Sequence, residues 1–155
     1  MFSSVADRIE HRMPRPVRCD ACGSPRVHLQ SRKLLGIRTS GKWHLIWHCL
    51  DCNALVGCHE GTDVPLGLMA DVATRDARFR AHSAFDPLWR GRARRMTRNE
   101  AYVWMANVLG IPFERAHISM LSEAQCEIII AEAAKERLIP IKRHWSQDKR
   151  KRRNK

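Results

Sequence analysis

The first third of the chain contains two short stretches in which apolar and polar side chains alternate. In residues 27–31 (VHLQS) the side chains at even and odd positions would lie on opposite faces of an extended backbone. In residues 43–48 (WHLIWH) the same period of two gives one apolar face, formed by Trp43, Leu45 and Trp47. The pattern predicts two short antiparallel strands that form a hairpin.

From residue 69 onward, apolar side chains recur at helical spacing. Six of them lie three or four residues apart: Met69, Ala73, Ala77, Ala81, Phe85 and Leu88. We expect this helix to begin at Asp63 or Pro65, both of which suit a helix start. Pro87 should interrupt it, because proline removes a helical hydrogen bond.

Two capping boxes predict two further helices. Residues 97–100 (TRNE) place a threonine three positions before a glutamate, and residues 122–125 (SEAQ) place a serine three positions before a glutamine. The first of these helices should stop at Gly110 and the second before Pro140. Three helices of this length can bury a small core.

Two Cys-x-x-Cys pairs carry the strongest chemical signal in the sequence. They consist of Cys19 with Cys22 and of Cys49 with Cys52. Each pair can form a tight turn that points both thiolates at one ion, and the glycine and asparagine that follow tolerate the left-handed backbone this turn needs. Four thiolates form a closed tetrahedral site, so we predict one structural zinc ion. The 26 residues between the pairs exceed the usual spacing, which a longer hairpin absorbs at small entropic cost.

These patterns divide the 155 residues into four segments and predict a small α+β fold. We expect a flexible lead over residues 1–16, a zinc ribbon over 17–60, a helical domain over 63–140 and a disordered basic tail over 141–155. So short a ribbon buries too little apolar surface to fold alone, which favours a metal over buried free cysteines or a redox pair. A composition of 44% apolar and 28% charged residues excludes disorder along the whole chain.

The sequence carries no membrane or secretion signal. Its longest uncharged stretch, residues 101–113, has 13 residues, whereas a membrane span needs about 20. The first 16 residues mix acids, bases and prolines and lack the apolar centre of a signal peptide. Six cysteines in such a chain indicate a reduced compartment. We therefore expect a cytoplasmic protein of a bacterial host cell, or one associated with the nucleoid.

Positive charge is abundant and clustered. The chain has 28 lysines and arginines against 16 acids, a formal charge of +12, with net +6 over residues 75–98 and net +7 over residues 142–155. Such blocks attract a polyanion, so we expect nucleic acid as partner, DNA more than RNA. A solvated surface, a nuclear-import signal and a membrane-surface contact are the alternatives. The residues predicted to contact phosphate are Arg92, Arg94, Arg95, Lys149, Arg150, Lys151, Arg152 and Arg153.

A second group of metal-ligating residue types follows the ribbon. Cys58, His59, His82 and His117 together offer the nitrogen and sulfur ligands of a second site or a catalytic cluster. On a helix, His82 and Asp86 would share a face, which is a usual arrangement for a general base. No spacing matches a known metal or nuclease motif, so packing or surface roles are the alternative.

The order of these motifs resembles a zinc-finger-containing domain family of phage, prophage and bacterial proteins whose function is uncharacterised. The resemblance implies a zinc ribbon followed by an all-helical part and a phage or mobile-element setting, and it supplies no activity. It covers roughly residues 17–130. It is carried by the two cysteine pairs and then by residues 58–62 (CHEGT), 65–67 (PLG), 70–71 (AD), 74–75 (TR), 81–82 (AH), 85–86 (FD), 88–89 (LW), 100–102 (EAY), 109–111 (LGI) and 117–118 (HI), with Arg78 and Trp104.

Three functions fit the sequence. The first is non-enzymatic binding of nucleic acid by a zinc-ribbon protein. The second is a protein-interaction adaptor that docks on a host transcription, replication or recombination protein. The third is a metal-dependent nuclease that uses His59, His82 and Asp86. The sequence does not indicate an oligomeric state.

Overall fold

The computed structural model describes residues 12–38 and 43–138, so the tail predicted over 141–155 lies outside the described residues. Three strands precede three α-helices, and the predicted small α+β class is confirmed. No described helix is long and apolar enough to cross a bilayer. The elements are β1 (Val27–Ser31), β2 (Leu45–Cys49), β3 (Leu55–Gly57), α1 (Val72–Phe85), α2 (Arg98–Leu109) and α3 (Glu123–Leu138).

The strands form one antiparallel sheet in the order β1-β2-β3. β1 pairs with β2 so that Val27 lies opposite Cys49, and β3 pairs along the other edge of β2. The sequence pattern missed β3, because three residues are too few to show alternation. In β2 the predicted face is only partly as expected: Trp47 packs on the ribbon core, but Ile46 on the other face is buried as well, and Trp43 lies outside the strand and is exposed.

The first helix begins later than predicted. Neither Asp63 nor Pro65 starts it; Asp71 caps α1, and its side chain accepts a backbone hydrogen bond at 2.8 Å. The preceding segment instead runs back along the ribbon, where Ala70 and Leu55 exchange two backbone hydrogen bonds of 2.9 and 3.0 Å. The apolar residues before Asp71 therefore pack in the ribbon and do not form part of a helix.

Both predicted capping boxes are present. Thr97 and Glu100 exchange side-chain and backbone hydrogen bonds of 2.7 and 3.3 Å at the start of α2. Ser122 and Gln125 do the same at 3.0 and 3.3 Å before α3. Gly110 ends α2 with a left-handed φ of 62°, as predicted.

The helices enclose a core of their own. Phe85, fully buried at the end of α1, meets Tyr102 edge to face at 5.4 Å and stacks with Trp104 at 6.2 Å. Burial of one such ring is worth about 1.5–3 kcal/mol. The buried residues of this core are Ala77, Ala81, Phe85, Leu88, Ala101, Met105, Ala106, Ala116, Ile118, Leu121, Cys126, Ile129 and Ala133.

A largely buried arginine joins the ribbon segment to the helices. The Arg78 guanidinium donates to the carbonyl of Leu121 at 2.9 Å and to that of Leu68 at 2.8 Å. Burial lowers the pKa of Arg78, which stays charged because an arginine pKa is so high. At the same junction Ser119 donates its hydroxyl to the carbonyl of Leu66 at 2.7 Å.

Candidate metal centre

The two cysteine pairs adopt the same local fold. In the first, the N–H of Gly23 donates to the carbonyl of Cys19 at 2.8 Å; in the second, the N–H of Asn53 donates to the carbonyl of Cys49 at 3.0 Å. The turns need a left-handed residue, and φ is 76° at Gly23 and 59° at Asn53. Among the described residues, Asn53 is the only non-glycine with positive φ. The predicted knuckle turns are thus formed by the predicted residues.

The turns bring four sulfurs together. The Sγ atoms of Cys19, Cys22, Cys49 and Cys52 all lie within 4.8 Å of one another. Cys19 Sγ lies 3.6 Å from Cys52 Sγ, and Cys22 Sγ lies 3.7 Å from Cys49 Sγ. A tetrahedron with zinc–sulfur bonds of about 2.3 Å has sulfur–sulfur edges of about 3.8 Å. The sulfurs therefore fit a zinc ion, and the expected single structural zinc is confirmed.

The backbone prepares part of this site for anionic sulfur. Burial raises the pKa of Cys49, but the backbone N–H groups of Cys52 and Asp51 outweigh it and hold that pKa at about 7. At Cys52 the N–H of Ala54 lowers the pKa, whereas burial and three neighbouring thiols raise it to about 12. One thiol is thus acidic while its neighbour resists losing its proton. A divalent cation lets both be deprotonated, because it binds all four sulfurs as thiolates.

Two aspartates inside the knuckles hold the site in place, a role the sequence analysis did not assign. Asp51 accepts a hydrogen bond from the Ser24 hydroxyl and pairs with Arg26 at 2.7 Å, so it ties the second knuckle to the first. Asp20 accepts the backbone N–H of Met69 at 2.8 Å and ties the first knuckle to the segment that leads into α1. The only sequence signal was an acid between each pair of cysteines.

His48 and Trp47 form contacts near the knuckles without binding the metal. His48 Nε2 lies 3.1 Å from Asn53 Oδ1, and His48 is not part of the four-sulfur group. The indole of Trp47 packs on the small ribbon core and donates to the carbonyl of Asp63 at 2.8 Å. Trp47 therefore packs the ribbon, whereas Trp43 is 37% exposed.

The second predicted cluster does not come together. Within residues 12–38 and 43–138, the four-sulfur group is the one place where three or more possible ligands converge. Cys58 is buried beside β3, where burial and then Asp63 raise its pKa to about 12. The ring of His59 is half-buried, which lowers its pKa. His82 sits on exposed α1 surface, 3.4 Å from Asp86, and His117 lies against Tyr102.

This outcome has a topological reason. Cys58 and His59 belong to the ribbon, whereas His82 lies in the last turn of α1 and His117 in the loop after α2. His82 and His117 each have a local neighbour, Asp86 and Tyr102, and spacing along the chain does not measure the distance between the elements that carry them. The three residues proposed for a nuclease, His59, His82 and Asp86, likewise form no compact group among the described residues.

The predicted phosphate contacts fall in two places. Arg92 and Arg94 are exposed in the α1–α2 loop, and neither forms an ion pair with another described residue. Arg95 is half-buried, and its guanidinium donates to the carbonyl of Arg137. The predicted contacts from Lys149 to Arg153 lie outside the described residues.

Four thiolates in paired knuckles on a three-stranded sheet define the class of zinc-ribbon proteins with a closed, structural metal site. A family model described as a zinc-finger-containing domain matches residues 15–136, and the chain belongs to that family. The match includes the ribbon and nearly all of the described helices, and the predicted family is confirmed. Neither a curated protein nor a solved structure matches the chain.

Proposed function

We propose that this zinc-binding protein binds nucleic acid without cleaving it, DNA in preference to RNA. The setting we propose is the cytoplasm of a bacterial host, for a protein encoded by a phage or another mobile element. The single observation that carries the proposal is the arginine loop, residues 89–98, which follows α1 and ends at the first residue of α2. It contains five arginines and no acid.

The arginine loop has a defined shape. The backbone N–H groups of Arg95 and Met96 both donate to the carbonyl of Leu88, at 2.8 and 3.1 Å, and close the loop at its base. Gly91 turns the chain with φ of 80°. Ordered cations lose less conformational entropy on meeting phosphates than cations on a mobile chain do.

Two arginines of the loop are held on an aromatic ring. The guanidinium carbons of Arg90 and Arg98 lie 4.4 and 5.6 Å from the centre of the Trp89 ring, and Arg98 also lies 5.0 Å from the centre of the Tyr102 ring. Cation–π contact of this kind orients a guanidinium. Arg90 is also 3.5 Å from Asp86, so its charge is partly compensated.

The test is a salt titration of DNA binding. The full chain is compared with a chain that ends at Pro140 and with the variant R92Q/R94Q. Each cation that contacts duplex phosphate contributes about −0.9 to the slope of log K against log salt. The double variant should therefore make this negative slope shallower by about 2, and the chain that ends at Pro140 should also have a shallower slope than the full chain.

The matched control is R80Q/K135Q, which also removes two charges, both of them outside the arginine loop and away from the metal site. Arg80 pairs with Asp76 at 2.9 Å, and Lys135 pairs with Glu132. This control should leave the slope nearly unchanged. Failure of the full chain to bind DNA or RNA at low salt would remove the proposal.

An adaptor function is the second candidate, and exposed apolar side chains on the ribbon favour it. Leu34 is 81% exposed beside β1, and Val17 is 82% exposed just before the first knuckle. A stoichiometric protein that copurifies after nuclease treatment, and that L34S releases, would support this function over the first.

A further inference from the structure

An exposed phenyl ring lies beside the arginine loop. Phe79 sits on α1 with 72% of its surface exposed, although phenylalanine is usually buried. The neighbouring residues of the same helix, Ala77 and Ala81, are fully buried in the helical core. Phe79 therefore faces away from the core, and the fold of the described residues does not use its ring.

Phe79 forms one wall of a shallow hollow of about 410 Å³. The hollow runs from the outer face of α1 to the beginning of the arginine loop. Its wall combines apolar surface with a few groups able to form hydrogen bonds, which is the mixture typical of small-ligand sites. The lining includes Phe79, His82, Ser83, Asp86, Pro87 and Arg90.

The charges around the hollow favour a base attached to a phosphate. Arg90 contributes a guanidinium to the rim, and Trp89 holds that guanidinium from behind at 4.4 Å. Asp86, the acid in the lining, is engaged by Arg90 at 3.5 Å and by His82 at 3.4 Å. The next two arginines of the loop, Arg92 and Arg94, extend the positive surface beyond the hollow.

We infer that this hollow binds one unpaired nucleobase of a single strand, which stacks on Phe79 while Arg90 contacts an adjacent phosphate. The inference rests on the proposed function and makes it specific. Proteins that hold single strands combine aromatic side chains, on which bases stack, with cations along the backbone. A paired base cannot enter the hollow without first leaving its stack and its partner, so duplex DNA should not use the hollow.

The experiment measures binding of a fluorescent 12-nucleotide single strand and of the same sequence as a duplex, at several salt concentrations. Removing a stacking ring costs about 5- to 150-fold in affinity, the equivalent of roughly 1–3 kcal/mol per base. F79A should weaken single-strand binding in that range at every salt concentration. Its salt slope should stay unchanged, because no charge is lost. Duplex binding should change less than twofold.

Two further variants serve as comparisons. R90Q tests the contribution of charge, and F113A tests whether loss of an exposed ring elsewhere has the same effect. R90Q should make the negative single-strand salt slope shallower by about 0.7, the contribution of one phosphate contact. F113A removes a phenyl ring that is 39% exposed but does not line the hollow, and it should bind like the parent protein. Because Phe79 is exposed, F79A should retain its zinc content and melting temperature.

A base analogue gives a direct signature of the site. A strand that carries 2-aminopurine should lose fluorescence on binding the parent protein, since stacking quenches this base, and should lose much less on binding F79A. The inference is overturned if the protein binds DNA but F79A binds single strands like the parent, or if duplex binding falls equally. Absence of binding by the parent protein would instead remove the proposed function itself.

Discussion

The ribbon and the helical part differ in what stabilises them: a metal ion in the ribbon and a buried apolar core in the helices. The helical core contains thirteen buried residues, whereas the ribbon cluster contains five, two of which are metal ligands. The helices can bury enough apolar surface to hold their packing, but the ribbon needs its ion. The two clusters are separate, and side chains of the helical part, those of Arg75, Arg78 and Ser119, donate hydrogen bonds to backbone carbonyls of the ribbon segment. This contrast predicts which perturbations damage one region and spare the other.

The largest expected effect is loss of zinc. Structural zinc contributes an apparent ~10–16 kcal/mol in small zinc domains. Chelation, or the variant C49A, should therefore unfold the ribbon and leave most of the helical circular dichroism. Elemental analysis should give one zinc per parent chain. The control C126A removes a buried thiol of the helical core and should keep that zinc. Retention of one zinc per chain by C49A would overturn the four-thiolate assignment.

The converse perturbation is F85A. It removes a fully buried ring and should lower the free energy of unfolding by about 3–5 kcal/mol. Chemical denaturation monitored by circular dichroism measures this loss. The matched control is F79A, which removes an exposed ring and should change stability by no more than about 0.5 kcal/mol. Equal losses in the two variants would contradict the described helical core.

Coupling between the regions is tested with R78M. The substitution leaves the carbonyls of Leu68 and Leu121 without their charged donor, and such a hydrogen bond is worth about 1.5–3 kcal/mol. We expect chelation of zinc to lower the melting temperature of the helices in the parent protein through this contact, and to lower it less in R78M. R80M, the same substitution on the exposed face of α1, should respond to chelation like the parent. An equal shift on chelation in R78M and the parent would show that Arg78 does not join the regions.

The smallest effect concerns the cap at the start of α1. Backbone and side-chain hydrogen bonds from Thr74 lower the pKa of Asp71 below its ordinary 3.8. Its stabilising contribution is therefore present above pH 3.8 and is lost as the pH falls through the lowered folded value. D71A should cost about 0.5–2 kcal/mol at neutral pH, and this difference from the parent should shrink in acid. Chemical denaturation of D71A and the parent at neutral and at strongly acid pH measures the loss of stability and its decrease in acid.

Local signals were enough for the metal site, for both ends of α2 and for the start of α3. The knuckles are set by four cysteines with Gly23 and Asn53, and the caps by Thr97 and Ser122, all of which act through neighbours a few residues away. The predictions that were wrong depend on residues that are far apart in the sequence. The residues before Asp71 matched a helical period but pair with β3, and an apparent histidine cluster is split between the ribbon and two separate parts of the helical region.

The way the chain leaves and rejoins the sheet has a practical consequence for protein engineering. Ser31 lies opposite Leu45, and the N–H of Arg32 donates to the carbonyl of His44 at 2.8 Å, so the two ends of the connection between β1 and β2 are held side by side. Doubling the length of such a connection costs only about 0.6 kcal/mol. A peptide tag or a reporter inserted after residue 40 should therefore leave the zinc ligands in register.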